Sequence, residues 1–310
     1  MISADRDVIL EISKQLADKD KIALTMSSKK MDTFKKEFVY DEVTDLKKIE
    51  DLSYFDSFEK VYIAFAPYFS YRRIMAKKTL PINAKQVYYT FCPPDTINFN
   101  VCNSMRQVLL ECWLPNVVTH LIYDCDKTIL MPYDIPLSVT HLTFSDIFNK
   151  SIDNCIPPSV IYLQFGHSFN YAINKCIPES VRHLIFGAAF DKCIRDNIPS
   201  SVIYLQFGTD FNQPICWCIP PSVKHLVFGW KFNQEIDGIP TSVKRLSLGS
   251  SYNKGLWAIP KSVTHLSVWV HQVEIYSNDS LRDILVRNGI PASVTSLCVK
   301  NRFGQRATYV

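Results

Sequence analysis

A motif of about twenty residues, Ile-Pro-x-Ser-Val-x-x-Leu-x-Phe-Gly-x-x-Phe-Asn, recurs through the C-terminal two thirds of this 310-residue chain. Successive copies start 21 residues apart five times, then 20 twice, then 31. A unit this short cannot bury a core alone and is stable only when it stacks on its neighbours, so the fixed period predicts a solenoid. The Ile-Pro or Leu-Pro steps begin at Leu114, Ile135, Ile156, Ile177, Ile198, Ile219, Ile239, Ile259 and Ile290.

Each copy of the motif contains one short strand. In the copy that starts at Ile156, Leu163 and Phe165 are two residues apart and therefore point to the same side of an extended chain. The proline has no N–H to donate to a sheet, so it belongs in the turn before the strand. One strand per repeat predicts a curved parallel sheet like that of a leucine-rich-repeat protein.

Three other motif positions have predicted roles in the turns. The serine should satisfy turn amides, and the glycine after the strand should let the chain turn with a positive φ. The aromatic ring of the Phe-Asn step should enter the core. Its asparagine should form a buried ladder that bonds to backbone groups.

The repeat is irregular at both ends. In the 31-residue gap after Ile259, the run from Ser280 to Leu285 predicts a capped helical turn. A last strand is predicted around residues 294–299, before a short polar tail. Towards the N-terminus, the Val-x-x-Leu-x-Phe spacing persists without the full motif at Phe58, Val61 and Ile63 and at Ala84, Val87 and Tyr89.

Composition narrows the class of protein. The chain is 47% hydrophobic and 21% charged, as folded domains are, and its formal net charge of +4 is small for a nucleic-acid-binding protein. No apolar stretch is long enough to span a bilayer, and the N-terminus does not resemble a secretory signal. We therefore expect a cytoplasmic protein that binds neither nucleic acid nor membrane and keeps its ten cysteines reduced.

Five of the seven histidines share one repeat position, just before the strand leucine, which strand alternation places on the concave face of the sheet. Stacked imidazoles can bind a metal, but ladder neighbours point in parallel whereas metal ligands converge, so we favour simple stacking of planar side chains. Basic residues beside this column are suited to an acidic protein segment, or are simply solvated. The predicted partner-binding face comprises His120, His141, Tyr162, Arg182, His183, Tyr204, Lys224, His225, Lys244, Arg245 and His265.

Neither a metal site nor an active site is predicted. Cys155, Cys176 and Cys218 share the position before Ile-Pro, but the spaced cysteine pairs of zinc sites do not occur, which favours reduced thiols within the coil. The chain has no nucleophile elbow, phosphate-binding loop or HExxH motif. We therefore expect a protein that is not an enzyme and needs no cofactor.

The motif resembles the FNIP repeat, a family named for its Phe-Asn and Ile-Pro steps and abundant in social amoebae and in giant viruses that infect amoebae. The resemblance covers about residues 114–300. It implies a relative of leucine-rich-repeat proteins whose role is protein interaction. If the chain is viral, its expected location is the host cytoplasm.

A second resemblance lies at the N-terminus, where residues 7–24 look like an F-box. Such a segment has an apolar helix, a short acidic turn and a second helix, and here Ile9, Ile12 and Leu16 lie at helical spacing. F-box proteins dock on the Skp-type adaptor of a cullin–RING ubiquitin ligase and present substrates through a C-terminal repeat domain. The resemblance implies that the adaptor contacts are Ile9, Leu10, Ile12, Leu16 and Ile22.

The sequence thus predicts an α+β protein in three parts. A small helical F-box-like domain spans residues 1–45, degenerate repeats span 46–113, and an FNIP-type solenoid with a C-terminal cap spans 114–310. The leading hypothesis is a substrate-recognition subunit of a cullin–RING ubiquitin ligase that binds a Skp-type adaptor and an unknown protein substrate. The alternative is a plain protein-binding scaffold whose N-terminal helices cap the open end of the solenoid.

Overall fold

The chain forms two compact units, residues 1–122 and residues 123–310. Leu114, predicted to open the first regular repeat, lies outside the described residues. The computed structural model describes residues 2–27, 29–49, 51–63, 81, 83–91, 118–124, 130, 132, 134–276, 279–301 and 306–310.

Helices precede the first strand of the N-terminal unit, and further helical turns lie between its first two strands. β1 pairs with β2, and β2 pairs with β3. The helices are α1 (Ile2–Ser13), α2 (Asp18–Met26), α3 (Lys29–Asp32), α4 (Leu46–Ile49) and two 3-10 turns, Thr33–Lys36 and Phe55–Ser57. The strands are β1 (Thr44–Asp45), β2 (Lys60–Ile63), β3 (Gln86–Phe91) and β4 (His120–Tyr123), in which the boundary between the units falls.

A buried ion pair ties α2 to the chain that follows it. Lys21 Nζ donates to Asp18 Oδ1 at 3.0 Å, to the carbonyl of Val39 at 2.8 Å and to Asp41 Oδ1 at 3.0 Å. The Asp18 carboxylate in turn accepts from the backbone N–H groups of Asp41 and Glu42. Burial alone would lower the pKa of Lys21, but hydrogen bonds to the two aspartates raise it. A buried cation needs such partners, so this network fixes α2 against residues 39–42.

The two degenerate repeats form strands where the spacing predicted them. Val61 in β2 and Val87 in β3 are buried. Tyr40 stacks on Phe58 with ring centroids 4.8 Å apart, and Tyr54 lies 5.3 Å from Tyr40. The N-terminal unit therefore has its own buried aromatic cluster.

In the C-terminal unit, every repeat contributes one short strand to a parallel sheet whose order follows the sequence. Equivalent residues are in register, so that Leu184 lies between Leu163 and Leu205 of the neighbouring strands. This arrangement confirms the predicted solenoid with a small helical N-terminal part. The parallel strands are β5 (His141–Phe144), β6 (Tyr162–Gln164), β7 (His183–Ile185), β8 (Tyr204–Gln206), β9 (His225–Val227), β10 (Arg245–Ser247), β11 (His265–Trp269) and β12 (Ser296–Lys300).

Two ladders of stacked aromatic rings fill the core of this unit. Phe186 and Phe207 of neighbouring coils have centroids 5.6 Å apart, and Phe190 and Phe211 have centroids 6.2 Å apart. Within one coil, Phe207 and Phe211 approach to 3.9 Å, which joins the two ladders. The ring of the Phe-Asn step does enter the core, as predicted. The first ladder comprises Phe144, Phe165, Phe186, Phe207 and Phe228. The second comprises Phe148, Phe169, Phe190, Phe211, Phe232 and Tyr252.

The asparagines that follow these rings form a hydrogen-bonded ladder from Asn149 to Asn253. The backbone N–H of Asn212 donates to Asp191 Oδ1 at 3.0 Å, and that of Asn233 donates to Asn212 Oδ1 at 2.9 Å. Only an acceptor oxygen is needed, which explains why aspartate replaces asparagine at residue 191. The prediction that this ladder is buried was wrong, because its members are half-buried or exposed at the coil surface.

Removal of one ladder oxygen should cost measurable stability. We expect Asn212→Ala to lower the free energy of unfolding by about 1–2 kcal/mol, because the N–H of Asn233 loses its acceptor. Asn212→Asp keeps that acceptor and should cost less than half as much. Urea unfolding measures both, with Asn174→Ala, at an exposed position outside the ladder, as the control. Equal losses for the alanine and aspartate variants would contradict this role for the oxygen.

The serine and glycine positions serve purposes other than those predicted. Ser201 Oγ donates to the carbonyl of Val181 in the preceding coil at 2.7 Å, so the serine satisfies a carbonyl and not an amide. The glycines that end the strands do not have positive φ. A Cβ on Gly208 would instead lie 1.9 Å from the carbonyl oxygen of Gly187, so glycine is required by the close approach of neighbouring coils.

The insertion before β12 contains helix α5 (Leu281–Arg287), as predicted. Ser280 Oγ accepts from the N–H of Asp283 at 3.3 Å, and the Asp283 carboxylate accepts from the N–H of Ser280 at 3.0 Å. This reciprocal pair is a capping box. Beyond the insertion, the polar tail adds β13 (Arg306–Tyr309), which pairs antiparallel with β12.

Candidate functional site

The first residues of strands β5 to β11 form a continuous column of side chains, which we call the ladder column. They lie on the face of the sheet opposite the buried leucines, the ladder face, and are half-buried or exposed. His141 stacks on Tyr162 with ring centroids 5.6 Å apart and planes 22° apart, and the next rings follow at 5.8 to 6.1 Å. The ladder column comprises His141, Tyr162, His183, Tyr204, His225, Arg245 and His265.

The two tyrosines of the ladder column are held by glutamines two residues along their own strands. Tyr162 Oη donates to Gln164 Oε1 at 2.6 Å, and Tyr204 Oη donates to Gln206 Oε1 at 2.6 Å. Burial raises the pKa of both tyrosines, so they remain neutral hydrogen-bond donors. Because each glutamine accepts with its carbonyl oxygen, its NH₂ group can donate to a bound molecule.

Two histidines of the ladder column, His141 and His225, favour the neutral state. Burial lowers the pKa of His141, and the nearby His183 lowers it further. Burial is also the largest cause of the lowered pKa of His225, followed by the positive charge of Arg245. Protonation of either imidazole would place a charge at a half-buried site and add it to a face that already carries the positive charge of Arg245, so the ladder column is sensitive to acid.

Acid should therefore destabilise the C-terminal unit through this column. The folded-state pKa values of His141 and His225 lie below the unfolded value near 6.5, so the unfolded chain binds more protons and stability is lost as pH falls from about 6.5 through the folded pKa. We expect the melting temperature to fall less between pH 7 and pH 5 in the double variant His141→Gln/His225→Gln than in the wild type. His167→Gln, outside the column, is the control. Identical acid sensitivity in all three proteins would contradict this assignment.

Basic and apolar residues both occur immediately before the strands, in what we call the edge column. Arg182, Lys224 and Lys244 occupy it before β7, β9 and β10 and are exposed. Ile161 and Ile203 occupy it before β6 and β8, with 45% and 37% of their surface exposed. The C-terminal unit thus brings together ten of the eleven residues predicted for the partner-binding face.

The eleventh predicted residue, His120, opens β4 in the N-terminal unit. Its Nδ1 lies 2.9 Å from Thr119 Oγ1. The same Thr-His contact occurs at His141, where Thr140 Oγ1 lies 3.0 Å from Nδ1. A preceding threonine therefore orients the histidine ring in these repeats.

The predicted contact residues of the F-box-like segment lie on α1, on α2 and, for Leu16, in the turn between them. Ile9, Leu10, Leu16 and Ile22 are half-buried, whereas Ile12 is 52% exposed. Val8, one turn before Ile12, is 58% exposed. Sequence reasoning missed Val8, although its spacing of four residues from Ile12 places both on one helix face.

Of the predicted coil cysteines, Cys155 and Cys218 are buried and Cys176 is half-buried. Cys176 Sγ donates to Asp153 Oδ1 at 2.7 Å, and burial followed by this bond raises the pKa of the thiol to about 12. Within the described ranges, no group of three or more His, Cys, Asp or Glu side chains is arranged to hold a metal ion. In the same part of the chain, no helix is long and apolar enough to cross a membrane.

Comparison with known proteins agrees with this architecture. Residues 127–168, 148–187, 169–210 and 211–239 match the family model of the FNIP Repeat. Among solved structures, the chain is similar to CroV588, a giant-virus protein described as having a novel circular LRR protein structure, at 28% identity and a TM-score of 0.55. That match covers 72% of this chain and 32% of CroV588, so this chain spans about a third of the length of that protein. No curated protein matches the chain.

Proposed function

We propose that this FNIP-repeat protein, a parallel β-solenoid that resembles leucine-rich-repeat folds, holds a protein partner on its ladder face. The observation that carries the proposal is the in-register ladder column, where rings and cations of seven consecutive strands lie on one face with no core role. Residues at most other positions of the repeat form the core, the turns or the asparagine ladder. The ladder and edge columns are therefore where the surface can vary to suit a partner.

The physical character of this face suits a protein ligand. It combines flat rings with two exposed isoleucines, Ile161 and Ile203. Aromatic and apolar side chains supply contact area, and the bordering basic residues supply orientation. Each strand is hydrogen-bonded to both of its neighbours, so the face is rigid before binding. Little conformational entropy is therefore lost when a partner binds.

Site-specific photocrosslinking tests the proposal. A benzophenone amino acid is placed in the full chain at Ile203 or Ile161, on the edge column, or at Tyr171, which is 46% exposed but lies outside the ladder and edge columns. After irradiation in amoebal extract, we expect one shared protein adduct at residues 203 and 161 and none at residue 171. The same adduct from all three positions, or from residue 171 alone, would contradict binding at the ladder face.

We further propose that α1 and α2 dock on a Skp-type adaptor, which would make the chain a substrate-recognition subunit of a cullin–RING ubiquitin ligase. Two observations support this finer proposal. Residues 7–24 resemble an F-box, and Val8 and Ile12 leave an apolar stripe exposed on α1. Exposed apolar residues one turn apart on a helix are suited to a groove in a partner.

Purified components test the adaptor proposal directly. The full chain should retain a Skp-type adaptor in a pull-down, and Val8→Asp/Ile12→Asp should abolish retention because a charge cannot enter an apolar groove. Val286→Asp, at a residue that is 76% exposed on α5, controls for the added charge. Failure of the wild-type chain to retain the adaptor would contradict the ligase role and leave the scaffold role intact.

The alternative, that α1 and α2 cap the first coil, is favoured by the buried network around Lys21. Phe38 and Tyr40, which follow that network, are also buried. A capping role predicts that deletion of residues 1–27 lowers the melting temperature or causes aggregation. An independent docking domain predicts that the remaining chain melts at the wild-type temperature.

A further inference from the structure

We infer that the segment of the partner held on the ladder face is acidic and extended, a run of about five residues with carboxylates interspersed with apolar side chains. The inference rests on the proposed function of this face. It follows from the charge of the face, the spacing of its cations and the apolar residues between them.

The face contains no carboxylate. From β5 to β12, each strand contributes an edge residue, its first residue and its third residue, which makes 24 positions on eight strands. None of these positions is Asp or Glu, although the chain has 30 acidic residues. Four positions carry a permanent positive charge, and four are histidines. They are Arg182, Lys224, Lys244 and Arg245, and His141, His183, His225 and His265.

In the part of the C-terminal unit that the structure describes, the cations of this face are not neutralised by carboxylates. Among the described residues, no carboxylate lies within salt-bridge distance of Lys224, Lys244 or Arg245. Cations elsewhere in the unit do form such pairs, as Lys231 does with Asp210 at 2.9 Å. An exposed surface of one sign attracts ligands of the opposite sign and repels those of its own.

The spacing of the cations fits an extended segment. Arg182 and Arg245 are three strands apart, which is about 14 Å at the parallel-sheet spacing of ~4.8 Å. An extended chain rises ~3.3 Å per residue, so about five residues span the four coils between these cations. A segment with two or three carboxylates in that length can meet a cation on most of these coils.

Apolar residues between the cations favour a peptide over a nucleic acid. Ile203 lies between Arg182 and Lys224 in the edge column, and Ile185 and Val227 occupy the third positions of β7 and β9. The rings of the ladder column lie against one another, so their faces are largely covered by neighbouring rings, and branched aliphatic side chains have no flat surface on which a base can stack. Nucleic-acid interfaces also carry a denser set of cations. Leucine or phenylalanine side chains between the acids of a peptide would meet these residues.

A defined probe tests the inference on the full chain. The probe is a fluorescein-labelled twelve-residue peptide in which pairs of glutamate or aspartate alternate with leucine or phenylalanine. Its affinity is compared by anisotropy with that of a peptide in which glutamine and asparagine replace the acids, and with that of a twelve-nucleotide oligouridylate. We expect the acidic peptide to bind at least about tenfold more tightly than either.

Matched charge reversals locate the site. Lys224→Glu/Arg245→Glu should weaken binding of the acidic peptide by about tenfold or more, because two attractive contacts become repulsive. Lys192→Glu/Lys261→Glu changes the net charge equally outside the ladder and edge columns and should leave the affinity within about twofold. Circular dichroism melts of both variants establish that the fold is retained.

Each other outcome has a distinct meaning. Equal or tighter binding of the neutral peptide, lost in Ile203→Asp, would overturn the acidic partner while supporting protein binding at this face. Oligouridylate binding as tight as that of the acidic peptide would overturn a protein segment as the preferred ligand. Failure of every peptide to bind, or equal effects of the two charge reversals, would overturn the inference. The photocrosslinking result then decides independently whether the ladder face binds protein at all.

Discussion

Phe207→Ala should lower the free energy of unfolding of the chain by about 3–5 kcal/mol, the range found for removal of a fully buried aromatic ring. Phe207 is 1% exposed, belongs to one aromatic ladder and contacts the other through Phe211 at 3.9 Å. It also stacks on Phe186 and Phe228, each at 5.6 Å. Its loss opens a cavity in the middle of the repeat stack, where the coils on both sides depend on it.

Urea or thermal unfolding measures this effect, and two variants calibrate it. Phe207→Leu restores most of the volume and should cost less than half as much as alanine. Ile203→Ala, on the exposed edge column of the same coil, should change the free energy of unfolding by less than about 1 kcal/mol. If Phe207→Ala cost no more than Ile203→Ala, the aromatic ladders would not be the core of the solenoid.

Gly208→Ala should destabilise the chain by about 3 kcal/mol or more, at the upper end of the overpacking range. The new methyl group would lie 1.9 Å from the carbonyl oxygen of Gly187 and 2.8 Å from the Cα of Ala188. Both obstacles are backbone atoms that are held in register by the sheet. Relief therefore requires two coils to separate, which disturbs the stacked rings beneath them.

A glycine can be required by close packing or by a left-handed backbone, and Gly289→Ala separates these two reasons. Gly289 has a φ of +65°, and a Cβ there would come no closer than 3.8 Å to Trp257. Its alanine variant should cost only about 1–2 kcal/mol, the cost of a left-handed conformation. A loss for Gly208→Ala smaller than that for Gly289→Ala would mean that coil contact does not constrain the strand-end glycines.

The periodic part of the fold could be predicted from the sequence because it depends on local spacing. The two-residue separation of Leu163 and Phe165 identifies a strand with one buried side, and the repetition of the motif identifies its parallel register. The position of the ladder column follows from the same alternation. The motif alone is therefore enough to predict the ladder column. The structure places two of its members, Tyr162 and His183, beside each other on that face.

The roles of the turn residues could not be predicted, because they depend on distances between coils. The sequence predicts a positive φ at Gly208, whereas the real constraint on this residue is a carbonyl in the preceding coil. Ser201 donates to the coil before it, a direction that a single repeat cannot reveal. The buried pair of Lys21 and Asp18 depends on non-local packing of α2 against residues 39–42, for which the sequence has no pattern.

Hydroxyl-radical footprinting of the full chain with its captured partner tests the central claim most directly. The ladder-face residues Tyr204 and Ile203 should be protected from oxidation in the complex. Two exposed tryptophans outside the ladder and edge columns, Trp217 at 86% and Trp257 at 72% exposure, should be oxidised as fast as in the free chain. Protection of Trp217 and Trp257 with unchanged oxidation of Tyr204 and Ile203 would show that the partner binds elsewhere, and would contradict the ladder face as the binding surface.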